Sequence, residues 1–489
     1  MSAVAELRPL LERLRATCIA NGAPADLVAD LDRLAWRLDQ PLIVALAGKV
    51  KAGKSTLLNA LIGEELAPTD AGECTQVVTV YRNGHTYRVS IELTDGTSRQ
   101  VSFRRDGGAL EIDFGSTPLE QVAKIIVDWP SSRLVGMTLI DTPGLDSIAR
   151  DTSDRTHAFL GTDDDGGGEA DAVIYLMRHV HRTDLGFLEA FHDEAQAGAS
   201  PISAIAVLSR ADEVGACRID AMVSAQRIAD SWRRDPRLRR LVQTVVPVAG
   251  LVAQMGATLR EDEYRALATI AALPRAEADA LLLTTDRFVD DLSCQVTQLD
   301  REELLDRLGV FGVRLCISLI RLGAAPSATA LATELANRSG VVAFRNLLTT
   351  VLTERRDVLK ARVALSGMDA ALTKLPAPVF DPIRNELERI QASAHEFEEV
   401  YLLNAVRSGV MNFRQAEIEE LERLLGSIGA PRHVRLGVGP DTSEAEMHRL
   451  ILDGVERWRR RSENPMTALE LAGAARSVAR TYEGLLSVP

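Results

Sequence analysis

Residues 42–61 of the chain, LIVALAGKVKAGKSTLLNAL, carry the pattern that decides its fold. An apolar run at residues 42–47 is followed by residues 48–55, which match G-x-x-x-x-G-K-[ST], and then by a helical stretch. A strand, a glycine-containing loop and a helix in this order form a P-loop. Its backbone amides point at a phosphate, and the helix amino terminus adds positive potential. We therefore expect an α/β P-loop domain with a mostly parallel sheet.

The individual P-loop residues have separate expected roles. Lys54 should reach the β- and γ-phosphate oxygens, and the Ser55 hydroxyl should ligate Mg²⁺. Lys51 would either neutralise charge between the phosphates or remain a solvated lysine of the loop. The expected nucleotide-binding residues of this segment are Gly48, Lys51, Ala52, Gly53, Lys54, Ser55 and Thr56.

A second motif, Asp141-Thr142-Pro143-Gly144, follows directly after the apolar run at residues 137–140. It is a D-x-x-G arrangement, in which an acid at a strand end holds Mg²⁺, usually through water. We expect Asp141 in that role and the Gly144 amide as a hydrogen-bond donor to the γ-phosphate. The motif alone would also fit an ordinary turn, but its position after a P-loop favours the metal-binding interpretation.

A third motif, S-R-A-D at residues 209–212, closes the apolar run at residues 202–208. It is similar to the [NTS]-[KR]-x-D motif that reads the nucleotide base; an ordinary strand-to-helix turn is the alternative. Its carboxylate would accept hydrogen bonds from guanine N1–H and the 2-amino group, which adenine cannot offer, so the motif favours GTP over ATP. The expected base-binding residues are Ser209, Arg210, Asp212, Ala249 and Gly250, the last two in a loop after the strand-like residues 245–248.

Residues 68–75, between the first two motifs, form a polar, glycine-containing loop that suits a mobile switch. We expect Thr75 to supply a second hydroxyl to Mg²⁺ while the γ-phosphate is bound, with Thr69 and Thr79 as alternatives. The expected catalytic residues are thus Lys54, Thr75 and Gly144. The expected metal ligands are Ser55, Thr75 and Asp141.

The composition is that of a folded, soluble protein of two to four domains. The 489 residues are 46% hydrophobic and 26% charged, and the net charge is -13. That charge argues against nucleic acid as a partner, because phosphate backbones select clustered lysine and arginine. Five scattered cysteines without a C-x-x-C pair, and an amino terminus that reads as an amphipathic helix, predict a cytoplasmic protein.

Outside the motifs the chain divides into three parts. Residues 1–40 predict a helical hairpin, residues 41–257 alternate strand and helix patterns, and residues 258–489 predict an extended α-helical bundle. Turn signals at Asn83-Gly84 and Asp95-Gly96 predict a pair of inserted hairpins. A bend at residues 376–382, with Val379 and Phe380 between prolines, is a candidate tip. The expected strands cover residues 76–81, 88–93, 123–127, 137–140, 172–176, 202–208 and 245–248.

Membrane contact has few signals in the chain. The apolar stretch at residues 308–322 contains two arginines and is shorter than the roughly 20 residues that cross a bilayer, so we expect a buried helix. The basic segments at residues 431–435 and 457–461 mix charge with apolar groups and are more typical of solvated faces. Two histidines, His179 and His181, lack the partners of a metal site.

With these motifs the sequence resembles the bacterial dynamin-like proteins, and within them the mycobacterial members. The resemblance is carried by the P-loop segment, A-P-T-D-A-G-E-C-T, D-T-P-G-L-D, L-S-R-A-D-E-V-G and L-G-V-F-G-V-R at residues 308–314. It implies a GTPase head on a helical neck and trunk, with the amino-terminal hairpin in the neck. It further implies GTP-dependent pairing of heads, a companion paralogue as partner, and action on lipid at the inner face of the plasma membrane.

One departure from that family concerns Val50. Eukaryotic dynamins carry a glutamine there that helps to place the attacking water, and an apolar side chain cannot do this, so we expect slow basal turnover. Asp184 is a candidate for contact with an opposing head. The alternative function is a regulatory or scaffold GTPase that recruits proteins without touching lipid, because the sequence shows neither a hydrophobic finger nor a dense polybasic run.

Overall fold

The computed structural model contains ten β-strands and twenty α-helices within the residues it describes. These residues are 3–67, 77–106, 109–143, 170–193, 203–291, 294–353, 356–393, 395–408, 411, 413–427, 429 and 431–486. The strands are β1 Leu42–Gly48, β2 Val78–Asn83, β3 Arg88–Leu93, β4 Ser98–Asp106, β5 Ala109–Asp113, β6 Val122–Trp129, β7 Met137–Asp141, β8 Ala172–Met177, β9 Ala204–Ser209 and β10 Val245–Val248.

Along the chain, helices occur before, between and after the strands. Those up to β10 are α1 Ala3–Ala20, α2 Ala25–Asp39, α3 Lys54–Ile62, α4 Arg182–Asp193, α5 Ala221–Arg234 and α6 Pro236–Leu241. Those from Gly250 to Thr373 are α7 Gly250–Thr258, α8 Glu261–Ala272, α9 Arg275–Leu281, α10 Thr285–Asp290, α11 Gln298–Arg321, α12 Ala328–Arg338, α13 Val341–Leu348 and α14 Arg356–Thr373. The last six are α15 Ala377–Ser393, α16 His395–Ser408, α17 Gln415–Leu424, α18 Arg432–Leu436, α19 Glu444–Glu463 and α20 Leu469–Gly484.

The strands form one sheet in the order β10-β9-β8-β1-β7-β2-β6-β3-β4-β5. The five strands from β10 to β7 all run parallel to one another. β2 and β6 are parallel to each other, so most strand pairings in the described residues are parallel. β1, β8 and β9 are buried along their whole length, as in sheets covered by helices on both faces. The predicted fold class, an α/β P-loop domain joined to an α-helical bundle, is confirmed.

The inserted hairpins differ in part from the prediction. The Asp95-Gly96 turn does join an antiparallel pair, β3 and β4. The Asn83-Gly84 turn does not make a hairpin, because β6 lies between β2 and β3 and pairs with both. The second hairpin is instead formed by β4 and β5, which the sequence pattern did not indicate.

The amino-terminal helices pack with α14 and α15. Leu7 and Leu14 of α1, Leu31 of α2 and Phe380 of α15 are completely buried in one apolar cluster. Phe380 of the predicted tip is therefore inside this bundle, whereas the neighbouring Val379 is 43% exposed.

A buried ion cluster joins this bundle to the sheet. Asp171, just before β8, lies 2.6 Å from Lys360 Nζ of α14 and 3.0 Å from Arg37 of α2. Oδ2, the oxygen that faces Lys360, also accepts a hydrogen bond from the Ile43 amide of β1 (2.9 Å), whereas Arg37 faces Oδ1. Burial lowers the pKa of Lys360, and the Asp171 carboxylate opposes that change. One carboxylate thus holds α2, α14 and the first strand of the α/β domain together.

The helices after α15 also contact the α/β domain, beside β10. The Arg407 guanidinium of α16 donates to the Gln243 carbonyl (2.7 Å), and the Gln243 side chain donates to the Ser427 carbonyl (2.9 Å). Glu422 of α17 pairs with both Arg407 (3.0 Å) and Arg239 of α6 (2.9 Å). A largely buried polar network therefore fastens the carboxy-terminal helices to the edge of the sheet.

The arginines of the two basic segments form ion pairs with glutamates, although Arg457, Arg459 and Arg460 also remain exposed. Within the described part of the chain, the arginines at 457, 459, 460 and 461 form ion pairs with Glu420, Glu483, Glu456 and Glu417. Arg432 and Arg435 likewise pair with Glu444 and Glu399. Among the helices the structure describes, none combines the length and apolar character that a bilayer span requires.

Candidate nucleotide-binding site

The P-loop conformation depends on two glycines. Gly48 ends β1 with a φ of +145°, and a Cβ there would lie 2.5 Å from the Leu176 carbonyl oxygen of β8. Gly53 has a φ of +93° and lies directly before α3. L-residues with side chains avoid this backbone region, so glycine at both positions lets the chain turn tightly from β1 into α3.

Lys54, the first residue of α3, is buried in the loop. Its Nζ donates to the carbonyls of Gly48 (3.2 Å) and Lys49 (3.4 Å). Burial lowers the pKa of Lys54, while the nearby Asp141 carboxylate raises it. The ammonium group thus lies against carbonyls of the phosphate-binding loop, where phosphate oxygens would offer it stronger charged acceptors.

Ser55 and Asp141 meet at the carboxyl end of the parallel strands. The Ser55 hydroxyl donates to Asp141 Oδ2 (2.7 Å). Asp141 Oδ1 is buried and has no hydrogen-bond partner among the described residues. Burial raises the pKa of Asp141, and Lys54 and Ser55 oppose that rise. A hydroxyl and an unsatisfied carboxylate oxygen are hard ligands that fit Mg²⁺.

The remaining expected metal and γ-phosphate residues are described only in part. Gly144, Thr75 and Thr69 lie outside the described residues. Thr79 is buried on β2, opposite Asp141 in the β2–β7 register, and its hydroxyl donates to the Val77 carbonyl (3.3 Å). Both threonine alternatives to Thr75 therefore stay open, and the roles of Thr75 and Gly144 stay predictions.

The base-reading motif is tied to the P-loop. Arg210 follows β9 with a φ of +51°, and its guanidinium donates to the Lys51 carbonyl (3.1 Å) and to Glu213 (2.7 Å). Asp212 is 7% exposed, and burial raises the pKa of its carboxyl group. The Ser209 hydroxyl is buried without a hydrogen-bond partner in the described part of the chain. These groups could bind the edge of a purine.

One cavity of about 130 Å³ joins the P-loop to the base motif. Its walls are apolar at Leu176, Val207 and Val248, and polar at the base motif. The expected site residues that line it are Ala52, Gly53, Thr56, Ser209, Arg210, Asp212 and Gly250. Ala249 lies behind this wall, buried, with its amide donating to the Ser339 carbonyl (2.9 Å).

Two residues near the site belong to none of the three nucleotide-binding motifs. Asn59 of α3 is buried; its amide group donates to the Ala67 carbonyl (2.9 Å), and its oxygen accepts from the amides of Leu66 and Ala67. It therefore fastens the segment that enters the predicted switch loop. Gly309 interrupts α11 with a φ of +65°, beside Asp212. For Asn59, the one sequence signal was a polar residue inside an apolar helical pattern.

Asp184 does not face outward as a contact for an opposing head, so that expectation is wrong. Its side chain is buried and accepts hydrogen bonds from the Tyr175 hydroxyl and the His181 amide, both at 2.9 Å. It also lies 3.8 Å from Lys49 Nζ of the P-loop. His179 and His181 have no metal-ligand cluster around them among the described residues. Asp184 instead anchors the start of α4 next to the P-loop.

Comparison with known proteins agrees with this geometry. Residues 44–183, from β1 to the start of α4, match the Dynamin family. The chain belongs to this family, as a bacterial dynamin-like protein. It is 38% identical over 473 residues to the Isoniazid-induced protein IniC of Mycobacterium tuberculosis, across 96% of this chain and 95% of that protein.

Two further relatives match over shorter lengths. The Bacterial dynamin-like protein of Nostoc punctiforme is 36% identical over 150 residues, 28% of this chain and 20% of that protein. The Isoniazid-induced protein IniA of Mycobacterium tuberculosis is 26% identical over 249 residues, 49% of this chain and 35% of that protein. The family resemblance stated from the motifs is thereby confirmed.

Proposed function

We propose that this protein binds Mg²⁺ and GTP and hydrolyses GTP to GDP and phosphate. The observation that carries the proposal is a P-loop segment with two buried carboxylates close to it, one beside Ser55 and one in the cavity lined by Gly53. Asp141 has an unsatisfied oxygen beside Ser55, and Asp212 lines the cavity that opens on the P-loop. The first suits a metal ion, and the second suits the two donors of guanine.

Each side chain would act on a different part of the nucleotide. Lys54 would leave the carbonyls of Gly48 and Lys49 and bind the β- and γ-phosphate oxygens, stabilising charge that develops there. Ser55 and Asp141 would hold Mg²⁺, which neutralises phosphate charge when bound. Thr75 and Gly144 are proposed to complete the γ-phosphate site, with Thr75 as the second metal hydroxyl. Positioning and charge stabilisation suffice for such a reaction.

We further propose that GTP binding pairs two heads across their switch faces and that the pairing tethers or remodels membrane. Membership of the dynamin family and the similarity to IniC support this. A companion of the IniA kind is a proposed partner, since the chain is similar to both proteins. The proposed location is the cytoplasm, peripheral on the inner face of the plasma membrane.

A scaffold GTPase without direct lipid contact is the second candidate function. One observation favours it: the arginines at 457–461 pair with glutamates, and so do Arg432 and Arg435. The paired glutamates lower the net positive charge by which such a segment would attract anionic lipid. Under this alternative, nucleotide binding would control protein partners instead of membrane.

The first experiment tests which nucleotide the protein binds. Titration of the protein with GTP, ATP and XTP in Mg²⁺ should show tight binding of GTP alone. Asp212→Asn should weaken GTP binding roughly 10–100-fold and improve XTP binding, because an amide at 212 offers one donor and one acceptor, matching xanthine. Equal retention of ATP and GTP by the unmodified protein would disprove the proposal.

The second experiment separates the membrane and scaffold functions. The protein is sedimented with anionic liposomes in the presence and absence of GTP, with Lys54→Ala as the nucleotide-free control. GTP-dependent sedimentation of the unmodified protein, absent in Lys54→Ala, would support membrane action. Protein that stays in the supernatant in both conditions would favour the scaffold.

A further inference from the structure

α11 bends at the point where it passes the base-reading carboxylate. Gly309 has φ +65° and ψ 171°, a conformation outside the helix, with regular helix on both sides. A Cβ built on Gly309 would lie 4.0 Å from Asp212 Oδ2 and 3.5 Å from Leu251 Cδ1. There is room for a methyl group, so the backbone conformation is what demands glycine. The bend brings α11 against the guanine end of the cavity.

Five residues later, α11 also holds the segment that follows the base motif. The Arg314 guanidinium donates to the Cys217 carbonyl (3.0 Å) and to the Leu282 carbonyl (2.8 Å). Gly215, Ala216 and Cys217 all have positive φ, at +65°, +61° and +57°. Two consecutive residues with side chains in this region are unfavourable, so an external contact must stabilise them. Arg314 supplies that contact.

The same helix contacts the other end of the site. Arg307 lies 2.6 Å from Glu65, which follows α3 and precedes the predicted switch loop. It is also 2.6 Å from Glu263 of α8.

The segment held by Arg314 lies close to the base-reading carboxylate. Burial, and then the charges of Asp212 and Glu213, raise the pKa of the Cys217 thiol in that segment. α11 therefore contacts both the segment that follows the P-loop helix, at Glu65, and the segment that follows the base motif, at Cys217.

We infer that α11 positions the guanine-reading loop, which consists of residues 209–217. Arg314 is the residue of α11 that sets base specificity, through residues 215–217 and Asp212. This rests on the proposed function, because it names the part of the bundle that acts on the same site. Residues 308–314, L-G-V-F-G-V-R, then place two functions on one helical stretch. The glycine makes the approach and the arginine holds the loop.

The test compares two arginines of α11 that make the same kind of contact. Arg321 donates to the carbonyls of Ala271 (2.8 Å) and Leu273 (2.7 Å), away from the base motif. Arg314→Gln and Arg321→Gln are assayed with GTP and with ITP, which lacks the 2-amino group. Arg314→Gln should raise KM for GTP about tenfold and leave kcat within about twofold. Its preference for GTP over ITP should fall, whereas Arg321→Gln keeps both properties.

A matched loss in both variants, or an unchanged KM and GTP preference in Arg314→Gln, would overturn the inference. Arg314→Lys covers the case in which Arg314→Gln does not fold. It keeps one charged donor for the Cys217 carbonyl, so KM should lie between the wild-type and glutamine values; a wild-type KM and ITP discrimination would again overturn the inference. Wild-type protein that turns over no GTP would instead disprove the proposed function.

Discussion

Val50 stands in the P-loop with nearly half of its side chain exposed (48%). Eukaryotic dynamins carry a water-positioning glutamine at the corresponding position. Val50→Gln should therefore raise GTP turnover of the protein by roughly tenfold, because an amide can orient the attacking water. The measurement is phosphate release at saturating GTP, with Val50→Ala as a variant that cannot orient water. Equal rates in the two variants would contradict the prediction.

Asp212 gives the guanine preference a dependence on pH. Burial raises the pKa of its carboxyl group above the usual 3.8; the charge of Glu213 adds to this, and Arg210 and Arg178 oppose it. The two donors of guanine need Asp212 as a carboxylate, so an Asp212 that is protonated must lose its proton when GTP binds. Lowering the pH from neutral toward the raised pKa should weaken GTP binding more than ATP binding.

The ratio of GTP to ATP affinity, measured by titration at a series of pH values, should thus decline as the pH falls. In Asp212→Asn the ratio should not change over the same range, since this side chain does not titrate. A wild-type ratio that stays constant with pH would count against Asp212 as the guanine acceptor.

Individual residues of the site differ in how far sequence could predict them. The contact between Ser55 and Asp141 was predictable, because each ends or follows a strand of one parallel sheet. Asn59 and Gly309 were not, since their roles depend on Ala67 and Asp212, which are brought to them only by tertiary packing. Asp184 was misassigned because its burial depends on Tyr175 and Lys49.

At the scale of elements, strands were predictable where both faces are buried. β8 and β9 are continuous apolar runs and were found within two residues of their ends. β4 has only two apolar residues, Val101 and Phe103, and β5 is only five residues long, so the alternation that marks a half-buried strand covers too few residues to stand out. The position of β6 between β2 and β3 involves pairing across about forty residues, which no local pattern records.

The junction of α2, α14 and β8 allows a test at this scale. Lys360→Met should destabilise the protein by about 3 kcal/mol, because it leaves the buried Asp171 with one fewer cation. Urea unfolding at neutral pH measures this. Arg33→Ala, which removes the exposed ion pair with Asp30 on α2, should leave the unfolding curve unchanged. Equal curves for Lys360→Met and wild type would show that Asp171 needs only Arg37.

At the scale of the whole molecule, the residue patterns indicated helices after β10 but not their partners, and only the family resemblance suggested that the amino-terminal hairpin joins them. α14 and α15 pack with the amino-terminal helices, whereas Arg407 and Glu422 belong to helices that contact the edge of the sheet. Leucine-rich helices with similar patterns can bury their apolar faces in several ways. Which of them meet is decided by contacts far apart in the chain.

Head pairing predicts that GTP turnover depends on protein concentration. Specific activity should be low in dilute protein and increase at least about tenfold once heads pair, because the facing head would complete the site. Phosphate release is measured over a dilution series, with Lys54→Ala as the blank and sedimentation velocity to follow association. A specific activity that is the same at every concentration, or a high rate in dilute monomer, would disprove it.

The packing of α1 and α2 against α14 also sets an order of events on the ribosome. The first helical hairpin ends at residue 39, and its partner begins at residue 356. At about 5–20 residues per second, synthesis of the intervening chain takes roughly 15–60 s. During that interval the leucines of the hairpin can pack against each other but not against α14 or α15. The apolar face that the hairpin turns toward α14 and α15 therefore stays without its native cover until the carboxy-terminal third of the chain has been synthesised.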